Sequence, residues 1–572
     1  MTKIMLMNIP GGPYPTDFPP FAISRIIEGL SPTLNCNFSF FDLDCYRPLF
    51  EEIKEKIQSF SPQIIGFSAV LTSAYSYLKK LSAFIKNNFP DIIQVLGGEM
   101  AVISNIILQK TKIDFCVTGE SEPTFSNLIS RLQQNKFDIT NKENYKDIKG
   151  LVFLINDLPF FTGYEEKETT NAVRQMNYDL ISKFTNIDQY MQPIDSQFYR
   201  NRINKNEIKS FFSLFRSENL NKKIGQVCAS KGCVGRCTFC HRFFKGYKVI
   251  DPDTVINYLD ELIKKYDIGL IQFAEENFGS NSKATYKIVN YLKEKKLNWA
   301  AGAVRAGTVN EETVKLWKEA GCVNINFGIE SCSQKMLNVL GKYTTIEQNL
   351  NALELLNKYK IFYILGLLIG MPGETEETIE ETIRNLSTVI PNDINIPYEI
   401  SINWFQAVPG TPGYEFTRRI GFIGQTLEEE EKYIESLYNV DANDINHYLN
   451  FTDYEKEEIA YWKNYIFFEL VVAYIRKHGI IKTLKSKKAN RYKYGLIYMT
   501  IPKIIRKFLL KYFTIVRYFG LGKLLSFLCR KLFIKKRKYF SNISSSLRTV
   551  NKGIPLVIRE DDIYTSILRE GR

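Results

Sequence analysis

Short apolar runs alternate with amphipathic stretches over the first 140 residues of the chain. Five of these runs have the length and the Val, Ile and Phe content that are typical of buried strands. The runs are KIMLMNI (3–9), FSFFDLD (38–44), IIGFSAV (64–70), IIQVLGG (92–98) and FCVTGE (115–120). Because strands that alternate with helices pair in parallel, residues 1–140 are predicted to form a doubly wound α/β domain.

A second alternation of strands and helices begins near residue 220. The segment DPDTVINYLDELIKKYD (251–267) has an Asp N-cap, a first-turn Pro and apolar residues at helical spacing. Further strands are predicted at IGLIQFA (268–274), WAAGAV (299–304), VNINFGIES (323–331) and ILGLLIG (364–370). Residues 220–425 are therefore predicted to form a parallel barrel-like sheet surrounded by helices.

Charged and glycine-containing segments stand at the ends of four of these strands. They are EENF (275–278), Arg305, GIES (328–331) and GMPGE (370–374). In a parallel barrel the carboxyl ends of the strands meet at one rim, where the functional site lies. We therefore expect these segments to line one site.

The regions outside the two α/β patterns are less regular. Residues 141–219 are rich in Asn and Lys and are predicted to be a linker or subdomain, with a short hairpin at 148–157. Residues 426–572 are predicted to be mainly helical. At 572 residues the chain is long enough for more than one core.

The net charge of +13 belongs to one C-terminal segment. Residues 470–559 contain 23 Lys and Arg and no Asp or Glu, whereas the rest of the chain carries 52 basic and 62 acidic residues. On a helix over 502–520, five basic residues fall on one side and bulky apolar residues on the other. The basic residues are Lys503, Arg506, Lys507, Lys511 and Arg517.

Three interpretations of the basic segment 470–559 are open. A basic amphipathic helix with bulky apolar residues can lie in an anionic membrane interface. The same helix can instead pack on the barrel and leave a solvated basic face. Binding to nucleic acid is the third interpretation, and it is not favoured because no nucleic-acid-binding module can be recognised.

The amino terminus and the cysteines indicate a reducing compartment. The opening MTKIMLM is too short for a signal-peptide core, and no uncharged apolar run approaches the ~20 residues that span a bilayer. The protein is therefore expected to be cytoplasmic, with a peripheral position at the inner face of the membrane as the option raised by 470–559. Its ten cysteines are then expected to be reduced thiols rather than disulfides.

Three cysteines crowd into one short segment with C-x3-C-x2-C spacing, namely Cys233, Cys237 and Cys240. A zinc site needs four ligands at other spacings, and neither Cys228 nor His241 is well placed to complete one. Three neighbouring thiolates suit a [4Fe–4S] cluster with one iron left open. The other cysteines of this region, Cys228, Cys322 and Cys332, are interpreted as small buried apolar residues.

With Phe239 before its last cysteine, this motif resembles that of the radical S-adenosylmethionine (SAM) superfamily, over about residues 220–425. The resemblance implies a partial (β/α)6 TIM-like barrel in which the three cysteines hold the cluster and SAM binds the open iron. It also assigns the SAM amino group to Glu275 or Glu276, because A-E-E stands where the superfamily usually has G-G-E. Arg305 resembles the residue that meets the SAM carboxylate. The remaining implied SAM contacts are Glu330, Ser331, Gly370, Pro372 and Gly373.

The N-terminal pattern is flavodoxin-like, or Rossmann-like, and resembles the cobalamin-binding domain that precedes many radical SAM barrels. The matching pieces are PQIIGFSAV, VLGGEM and VTGESEPTF. The resemblance places six residues near the corrin, namely Ser68, Thr72, Gly97, Gly98, Gly119 and Glu120. The chain has three histidines, His241, His447 and His478, so no His of this domain can ligate cobalt. A purely structural domain therefore remains an alternative.

The resemblance implies a chemistry in which SAM is cleaved to a 5′-deoxyadenosyl radical that abstracts hydrogen from an unactivated carbon. The leading hypothesis is cobalamin-dependent C-methylation. Radical oxidation, cyclisation or rearrangement without methyl transfer is an alternative. A tRNA methylthiotransferase is disfavoured, because Cys36, Cys45 and Cys116 lack the spacing of its second cluster. An iron–sulfur or corrinoid sensor at the membrane is the alternative of another class.

The expected partners follow from the same resemblance. A reductant such as flavodoxin or ferredoxin supplies the electron. The substrate is a small molecule, a lipid-linked precursor or a peptide, and nucleic acid is not expected.

Overall fold

The computed structural model describes residues 1–533 apart from several internal segments. The segments outside the described residues are 31–33, 71, 120, 164–173, 196–210, 242–245, 395–397, 420, 425, 439–443 and 487–488.

The N-terminal domain is built on a sheet that has seven strands among the described residues. They are β1 (Thr2–Asn8), β2 (Cys36–Phe41), β3 (Ile64–Ser68), β4 (Ile93–Gly97), β5 (Phe115–Val117), β6 (Leu151–Ile155) and β7 (Leu158–Phe161). The strand order is β2-β1-β3-β4-β5-β6-β7, and the first five strands are parallel. This order confirms the doubly wound, flavodoxin-like fold.

Helices cover both faces of this sheet. They are α1 (Phe21–Leu30), α2 (Leu43–Tyr46), α3 (Phe50–Phe60), α4 (Tyr75–Asn88), α5 (Ser104–Lys110) and α6 (Ser121–Gln134). The apolar run of β1 is buried from Ile4 to Met7, as the sequence of a central parallel strand requires.

The hairpin predicted at 148–157 is present as β6 and β7, at slightly later positions. Asn156 and Asp157 both have positive φ, which is the geometry of a two-residue type I′ turn. Strand β6 pairs antiparallel with β5, so the hairpin extends the N-terminal sheet to Phe161, past the boundary predicted at residue 140.

The central domain is a barrel-like sheet of six parallel strands among the described residues. They are β8 (Lys223–Val227), β11 (Ile268–Phe273), β12 (Asn298–Val304), β13 (Cys322–Glu330), β14 (Phe362–Ile369) and β15 (Tyr398–Trp404), paired in that order. A two-stranded hairpin of β9 (Ser230–Gly232) and β10 (Tyr247–Val249) follows β8. This arrangement confirms the partial (β/α)6 barrel.

Helices alternate with the barrel strands, after a short helix α7 (Tyr178–Ile181) in the connecting region. The helices are α8 (Pro252–Tyr266), α9 (Ser282–Glu294), α10 (Glu311–Glu319), α11 (Gln334–Val339), α12 (Ile346–Tyr359), α13 (Glu376–Thr388) and α14 (Pro412–Arg419). The predicted cap of α8 is present, because the Asp251 carboxylate accepts a hydrogen bond from the Thr254 amide at 2.9 Å.

The barrel has facing glycines in two neighbouring strands toward its carboxyl rim and an apolar cluster at its opposite end. Strands β13 and β14 alternate buried and half-buried residues, and Gly328 pairs with Gly366 across them. Glycines inside strands leave room for neighbouring groups, and at Gly328 the side chains of Lys342 and Glu330 take up that room. At the other end, Phe211 and Phe215 from the connecting region pack with Ile224 and Leu270 in a separate apolar cluster.

The C-terminal region is helical, as predicted, over its described residues. Its helices are α15 (Leu427–Ser436), α16 (Lys456–His478), α17 (Ile480–Lys485), α18 (Ala489–Thr500), α19 (Lys503–Phe519) and α20 (Leu521–Phe533). Helix α16 is buried on most of its surface and packs against α13, α18 and α19. Within the described residues, no helix is both long enough and apolar enough to cross a bilayer.

Helix α19 has the predicted amphipathic pattern, but its orientation differs from the packed alternative. That alternative expected a solvated basic face. Arg506 is instead buried against α16, while Ile504 and Phe513 are 85% and 64% exposed. The basic side faces the protein because acidic residues of α13 and α16 lie opposite it.

Candidate functional site

The loop between β9 and β10, residues 233–246, carries the three motif cysteines and is here called the cysteine loop. The Cys233 amide donates to the Gly246 carbonyl at 2.9 Å, which closes the hairpin. The Thr238 amide donates to the Leu340 carbonyl at 2.9 Å, and the Thr238 carbonyl accepts from the Gly413 amide at 2.8 Å. The loop is thereby fixed to two further segments of the barrel rim.

The three thiols lie close enough together to influence one another's ionisation. Cys237 is buried, Cys233 is half-buried and Cys240 is exposed. Burial raises the pKa of Cys237, while the charges of Lys342 and Arg305 act in the opposite direction. The surrounding protein raises the pKa of Cys240 to about 12 although the residue exposes surface, as expected for a thiol on the wall of a cleft. A bound metal group must displace these protons, since thiolates are the ligands.

Neighbouring groups orient Cys233. Its Sγ accepts from the Gly235 amide at 3.3 Å and from the Asn277 side-chain amide at 3.4 Å. Asn277 is itself buried, and its carboxamide oxygen accepts from the Ser280 hydroxyl at 2.8 Å. Asn277 was not predicted as a site residue, although it lies in the EENF segment that the sequence places at a strand end.

The two adjacent glutamates after β11 point to opposite sides. Glu275 is buried behind the hairpin, where its Oε1 accepts from the Ala229 amide at 3.3 Å, and burial raises its pKa to about 8. Glu276 is half-buried and acts electrostatically on the Cys240 thiol. Of the two predicted candidates for the SAM amino group, only Glu276 therefore faces the cysteine loop.

Arg305 follows β12 and reaches the cysteine loop. A Cβ built on Gly235 would lie 2.5 Å from Arg305 Nη1, so the guanidinium occupies the space that this glycine leaves. Arg305 also donates a hydrogen bond to the Lys342 carbonyl. Arg305 therefore lies against the cysteine loop, and its role at the SAM carboxylate stays a prediction.

Lys342 is a cation in the barrel rim that the sequence analysis missed. Its Nζ lies 3.2 Å from Glu330 Oε1 and 5.9 Å from the centre of the Phe239 ring. Burial lowers the pKa of Lys342, but the nearby Glu330 and Cys237 more than offset this and leave the pKa raised. Lys342 therefore stays charged next to the predicted contacts Phe239 and Glu330, and its position after a helix gave no sequence signal.

Glu330 and Ser331 end β13 in a strained turn but face different ways. Glu330 has φ of +61°, a left-handed conformation that is uncommon outside glycine and costs energy. This geometry turns its carboxylate toward Lys342. Ser331 is buried, with its hydroxyl 3.1 Å from that of Thr382 on α13, so its hydroxyl is engaged within the protein.

The glycine turn after β14 is packed against the C-terminal region. Gly370 has φ of +89°, and a Cβ there would lie 2.5 Å from the Tyr448 ring. Its amide donates to Glu374 Oε2 at 2.5 Å, and burial raises the pKa of Glu374 to about 8. Pro372 and Gly373 complete the turn, and Gly373 also has positive φ.

The predicted corrin contacts lie at the carboxyl ends of β3, β4 and β5. The Ala69 amide donates to the Gly97 carbonyl at 3.1 Å, and a Cβ on Gly98 would lie 2.5 Å from the Ala69 carbonyl oxygen. Ser68 and Thr72 lie on either side of Ala69 in the chain. Gly119 is exposed and has φ of +75°. Glu120 lies outside the described residues. The described positions thus share one edge of the sheet.

The edge of the N-terminal sheet meets the cysteine loop directly. His241, which follows Cys240, places Nδ1 2.8 Å from Oε1 of Glu99 in the loop after β4. A Cβ on Gly410 would overlap the His241 ring and lie 3.0 Å from Val102. The carboxyl rims of the two sheets therefore face each other, with His241 between them.

The residues at this junction fit the groups that the two domains imply. Cys233, Cys237 and Cys240 supply three soft thiol ligands from one anchored loop, which suits an iron–sulfur cluster. No group of three His, Cys, Asp or Glu side chains in the described part of the chain is close enough to hold a single metal ion. At the edge of the N-terminal sheet, Gly97 has no side chain to obstruct a large planar ligand, whereas Gly98 allows the close contact with Ala69.

Comparison with known proteins identifies both domains. Residues 11–129 match the B12 binding domain, and residues 227–386 match the Radical SAM superfamily. The anaerobic magnesium-protoporphyrin IX monomethyl ester cyclase of Cereibacter sphaeroides is 26% identical over 64% of this chain. The chain spans 56% of the length of that relative.

An uncharacterised methyltransferase of Pyrococcus horikoshii is 27% identical over 63% of this chain and 68% of its own length. Among solved structures, the radical S-adenosylmethionine methyltransferase TsrM from Kitasatospora setae, with cobalamin and a [4Fe–4S] cluster bound, has a TM-score of 0.56. The two chains are 16% identical, and the match covers 74% of this chain and 79% of that chain. This similarity is one of fold. The barrel, the cysteine loop at its rim and both family matches together identify a Radical SAM domain at 227–386, preceded by a B12 binding domain at 11–129.

Proposed function

We propose that the chain is a radical SAM enzyme that methylates an unactivated carbon with the help of cobalamin. The observation that carries this proposal is the 2.8 Å contact between His241, next to a cluster cysteine, and Glu99, at the corrin-binding edge. A methyl group can pass from a corrin to a substrate radical only where both are held within reach of one another. The contact between the two rims supports such an arrangement.

The residues of the rim have separable tasks in this proposal. Cys233, Cys237 and Cys240 would hold the cluster, and Glu276 would pair with the SAM ammonium group. Arg305 and Lys342 are the cations available to the SAM carboxylate, and both already interact electrostatically with Cys237. When bound, the cluster and SAM supply a carbon-centred radical and cobalamin supplies the methyl group.

The closed end of the barrel supports the same proposal. The apolar cluster around Phe211 and Phe215 blocks the amino-terminal end, so access is from the rim. The space at Gly328 is occupied by the side chains of Lys342 and Glu330, which places two charged groups at the inner side of the rim. An enclosed site protects a radical from water and from unwanted partners.

The names of the relatives support two reaction types. The Pyrococcus horikoshii relative is named a methyltransferase, which favours the leading proposal. The Cereibacter sphaeroides relative is named a cyclase, and it favours radical oxidation or cyclisation without methyl transfer as the second candidate. The sensor hypothesis is weaker, because the acidic and basic residues of the rim are suited to SAM and have no role in a sensor.

We also propose that a flavodoxin or ferredoxin supplies the electron, which the exposure of Cys240 would permit. The substrate is proposed to be a small molecule, a lipid-linked precursor or a peptide. A peripheral position on a membrane is a separate proposal that rests on the C-terminal helices.

The test is cofactor loading and SAM cleavage by anaerobically reconstituted protein. Iron, corrinoid absorption and dithionite-driven release of 5′-deoxyadenosine should all be found in the wild type. Cys237→Ala should lose iron and SAM cleavage, whereas Cys228→Ala should keep both, because Cys228 is buried away from the loop beside Gln175. Loss in both variants, or in neither, would contradict the assignment of the cluster.

The two reaction types can be separated by their products. A methyl transfer that is renewed from a second SAM produces S-adenosylhomocysteine in step with 5′-deoxyadenosine. Oxidation or cyclisation produces 5′-deoxyadenosine without S-adenosylhomocysteine. Substrate-dependent formation of both products would support methylation, and 5′-deoxyadenosine alone would favour the second candidate.

A further inference from the structure

Helix α19 turns its basic residues toward the protein. Arg506 pairs with Glu469 of α16 through two hydrogen bonds, at 3.0 and 2.8 Å. Lys511 pairs with Glu458 at 2.8 Å, and Lys507 pairs with Glu380 of α13. These acids lie outside the acid-free segment 470–559, so the helix is bound to the rest of the protein by charge.

The opposite face of α19 is apolar and exposed. Ile504, Phe508 and Phe513 are 85%, 59% and 64% exposed, values that are unusual for such large apolar side chains. The complete face consists of Ile504, Ile505, Phe508, Leu509, Phe513 and Val516. At 100° per residue these positions form one continuous stripe along the helix. Contiguous exposed apolar surface of this kind marks an interaction site.

The C-terminal helices also carry exposed basic residues. Arg517 lies on α19, Lys523 on α20, and Lys482 and Lys485 on α17, and all four are exposed. Within the described residues no acidic side chain forms an ion pair with any of them. The acidic partners of α19, namely Glu380, Glu458 and Glu469, lie on the side of the helix that faces the protein. The side that faces solvent is apolar, and the exposed charges near it are positive.

We propose that this outer face of α19 docks on a bilayer of anionic phospholipid. Phe, Ile and Leu side chains would enter the interface, and the exposed Lys and Arg would contact the lipid phosphates. The helix would lie in the plane of the membrane surface, because its apolar stripe runs along one side of its length. A membrane position follows from this face alone and does not depend on the proposed reaction.

Charge favours a lipid surface over two other occupants. A second copy of the chain would bring an equally basic surface to the contact and would repel the first. Residues 534–559 add seven Lys and Arg without an acid, so this segment is also repelled by a positively charged surface. An anionic bilayer is attracted by the same charges and accepts the apolar side chains.

The test is co-sedimentation of the full chain with vesicles of phosphatidylcholine, with and without phosphatidylglycerol. The variant is Phe508→Ser with Phe513→Ser, and the matched control is Tyr286→Ser, because Tyr286 is 60% exposed on α9. Circular dichroism checks that each variant is folded. We expect binding to vesicles with phosphatidylglycerol to fall at least about tenfold in the double variant and to be unchanged in the control.

Salt provides a second readout of the same proposal. Binding of the wild type should weaken between about 0.1 M and about 1 M salt, because lipid charges are then screened. Equal binding of wild type and double variant, or no preference for phosphatidylglycerol, would overturn the proposal. A wild-type dimer that the double variant converts to a monomer would overturn it in favour of a contact between copies. Failure of the wild type to bind either vesicle would overturn it as well.

Discussion

Nδ1 of His241 lies 2.8 Å from Oε1 of Glu99, and this contact joins the cysteine loop to the B12 binding domain. Both side chains are largely buried, with 16% and 18% exposure. The contact brings together two loops that would each hold a different cofactor. It therefore couples the conformation of the cysteine loop to that of the corrin-binding edge.

Removing this contact should loosen both loops without unfolding either domain. Glu99→Gln replaces the carboxylate that contacts His241 by an amide and should cost about 1 kcal/mol at the junction, or roughly fivefold faster local opening. Amide hydrogen exchange over 97–103 and 237–241 measures this opening. Glu55→Gln, on the exposed side of α3, is the control and should leave both segments unchanged. Faster exchange in only one of the segments would contradict the coupling.

The two neighbouring glutamates should respond differently to the same substitution. Glu276 faces the cysteine loop, so Glu276→Gln should raise the KM for SAM by roughly 10–100-fold, the worth of a charged hydrogen bond. Glu275→Gln should leave the KM within about twofold, because Glu275 bonds to the Ala229 amide behind the hairpin. Release of 5′-deoxyadenosine at varied SAM concentration measures both. A larger effect at Glu275 would reverse the assignment.

Glu275 should also impose a pH dependence on stability. Burial raises its pKa from 4.5 to about 8, so the folded protein binds a proton that the unfolded chain releases above pH 4.5. Its contribution to stability is complete below about pH 4.5 and is lost as pH rises to about 8. Glu275→Gln keeps the neutral shape and avoids this loss. The Tm of the variant minus the Tm of the wild type should increase from pH 5 to pH 8 and stay constant above pH 8.

A Tm difference that is constant across this pH range would mean that Glu275 does not titrate on unfolding. Glu276→Gln serves as the comparison, since it changes an adjacent carboxylate that is only half-buried. Its effect on Tm should vary less with pH, because a more accessible carboxylate is desolvated less on folding.

Local patterns in the sequence were sufficient to predict both α/β domains and the cysteine motif. Alternating apolar runs give the strands, and N-cap residues such as Asp251 mark where helices begin. The position of the hairpin turn was also encoded locally, because Asn156 and Asp157 tolerate positive φ. These features depend on residues that are close together in the chain.

Features that depend on distant partners were missed. Lys342 becomes a site residue only because β13 places Glu330 beside it. His241 becomes a junction residue only because a loop of the other domain presents Glu99. The sequence could not tell which of Glu275 and Glu276 faces the cysteine loop, since both follow β11. The hairpin of β9 and β10 decides it, because Glu275 is buried behind that hairpin. Nothing in the local sequence records such pairings.

The orientation of α19 has the same cause. Its amphipathic pattern was evident, but the pattern does not tell which side faces the protein. Hydrophobic burial alone would have placed the apolar side inward. Glu380, Glu458 and Glu469 decide otherwise, because they are arranged on α13 and α16 to receive three basic side chains.

The buried pair of Arg506 and Glu469 should control the attachment of α19. Arg506→Met leaves the carboxylate of Glu469 buried without its partner and should cost about 3–5 kcal/mol. The double variant Arg506→Met with Glu469→Leu should recover most of this loss, since no charge remains buried. Recovery should be incomplete because the Tyr498 hydroxyl, which donates to Glu469 at 3.0 Å, loses its acceptor.

Hydrogen exchange within α19 measures this attachment directly, so unfolding of the other domains does not enter the comparison. Lys503→Met is the control on the same helix, because Lys503 is exposed and its contact with Glu380, at 3.3 Å, should be worth less than about 1 kcal/mol. If Arg506→Met loosens α19 no more than Lys503→Met does, charge pairing does not hold the helix. In that case the exposed apolar face would no longer be explained by the acids beneath it, and α19 would be free to turn that face inward.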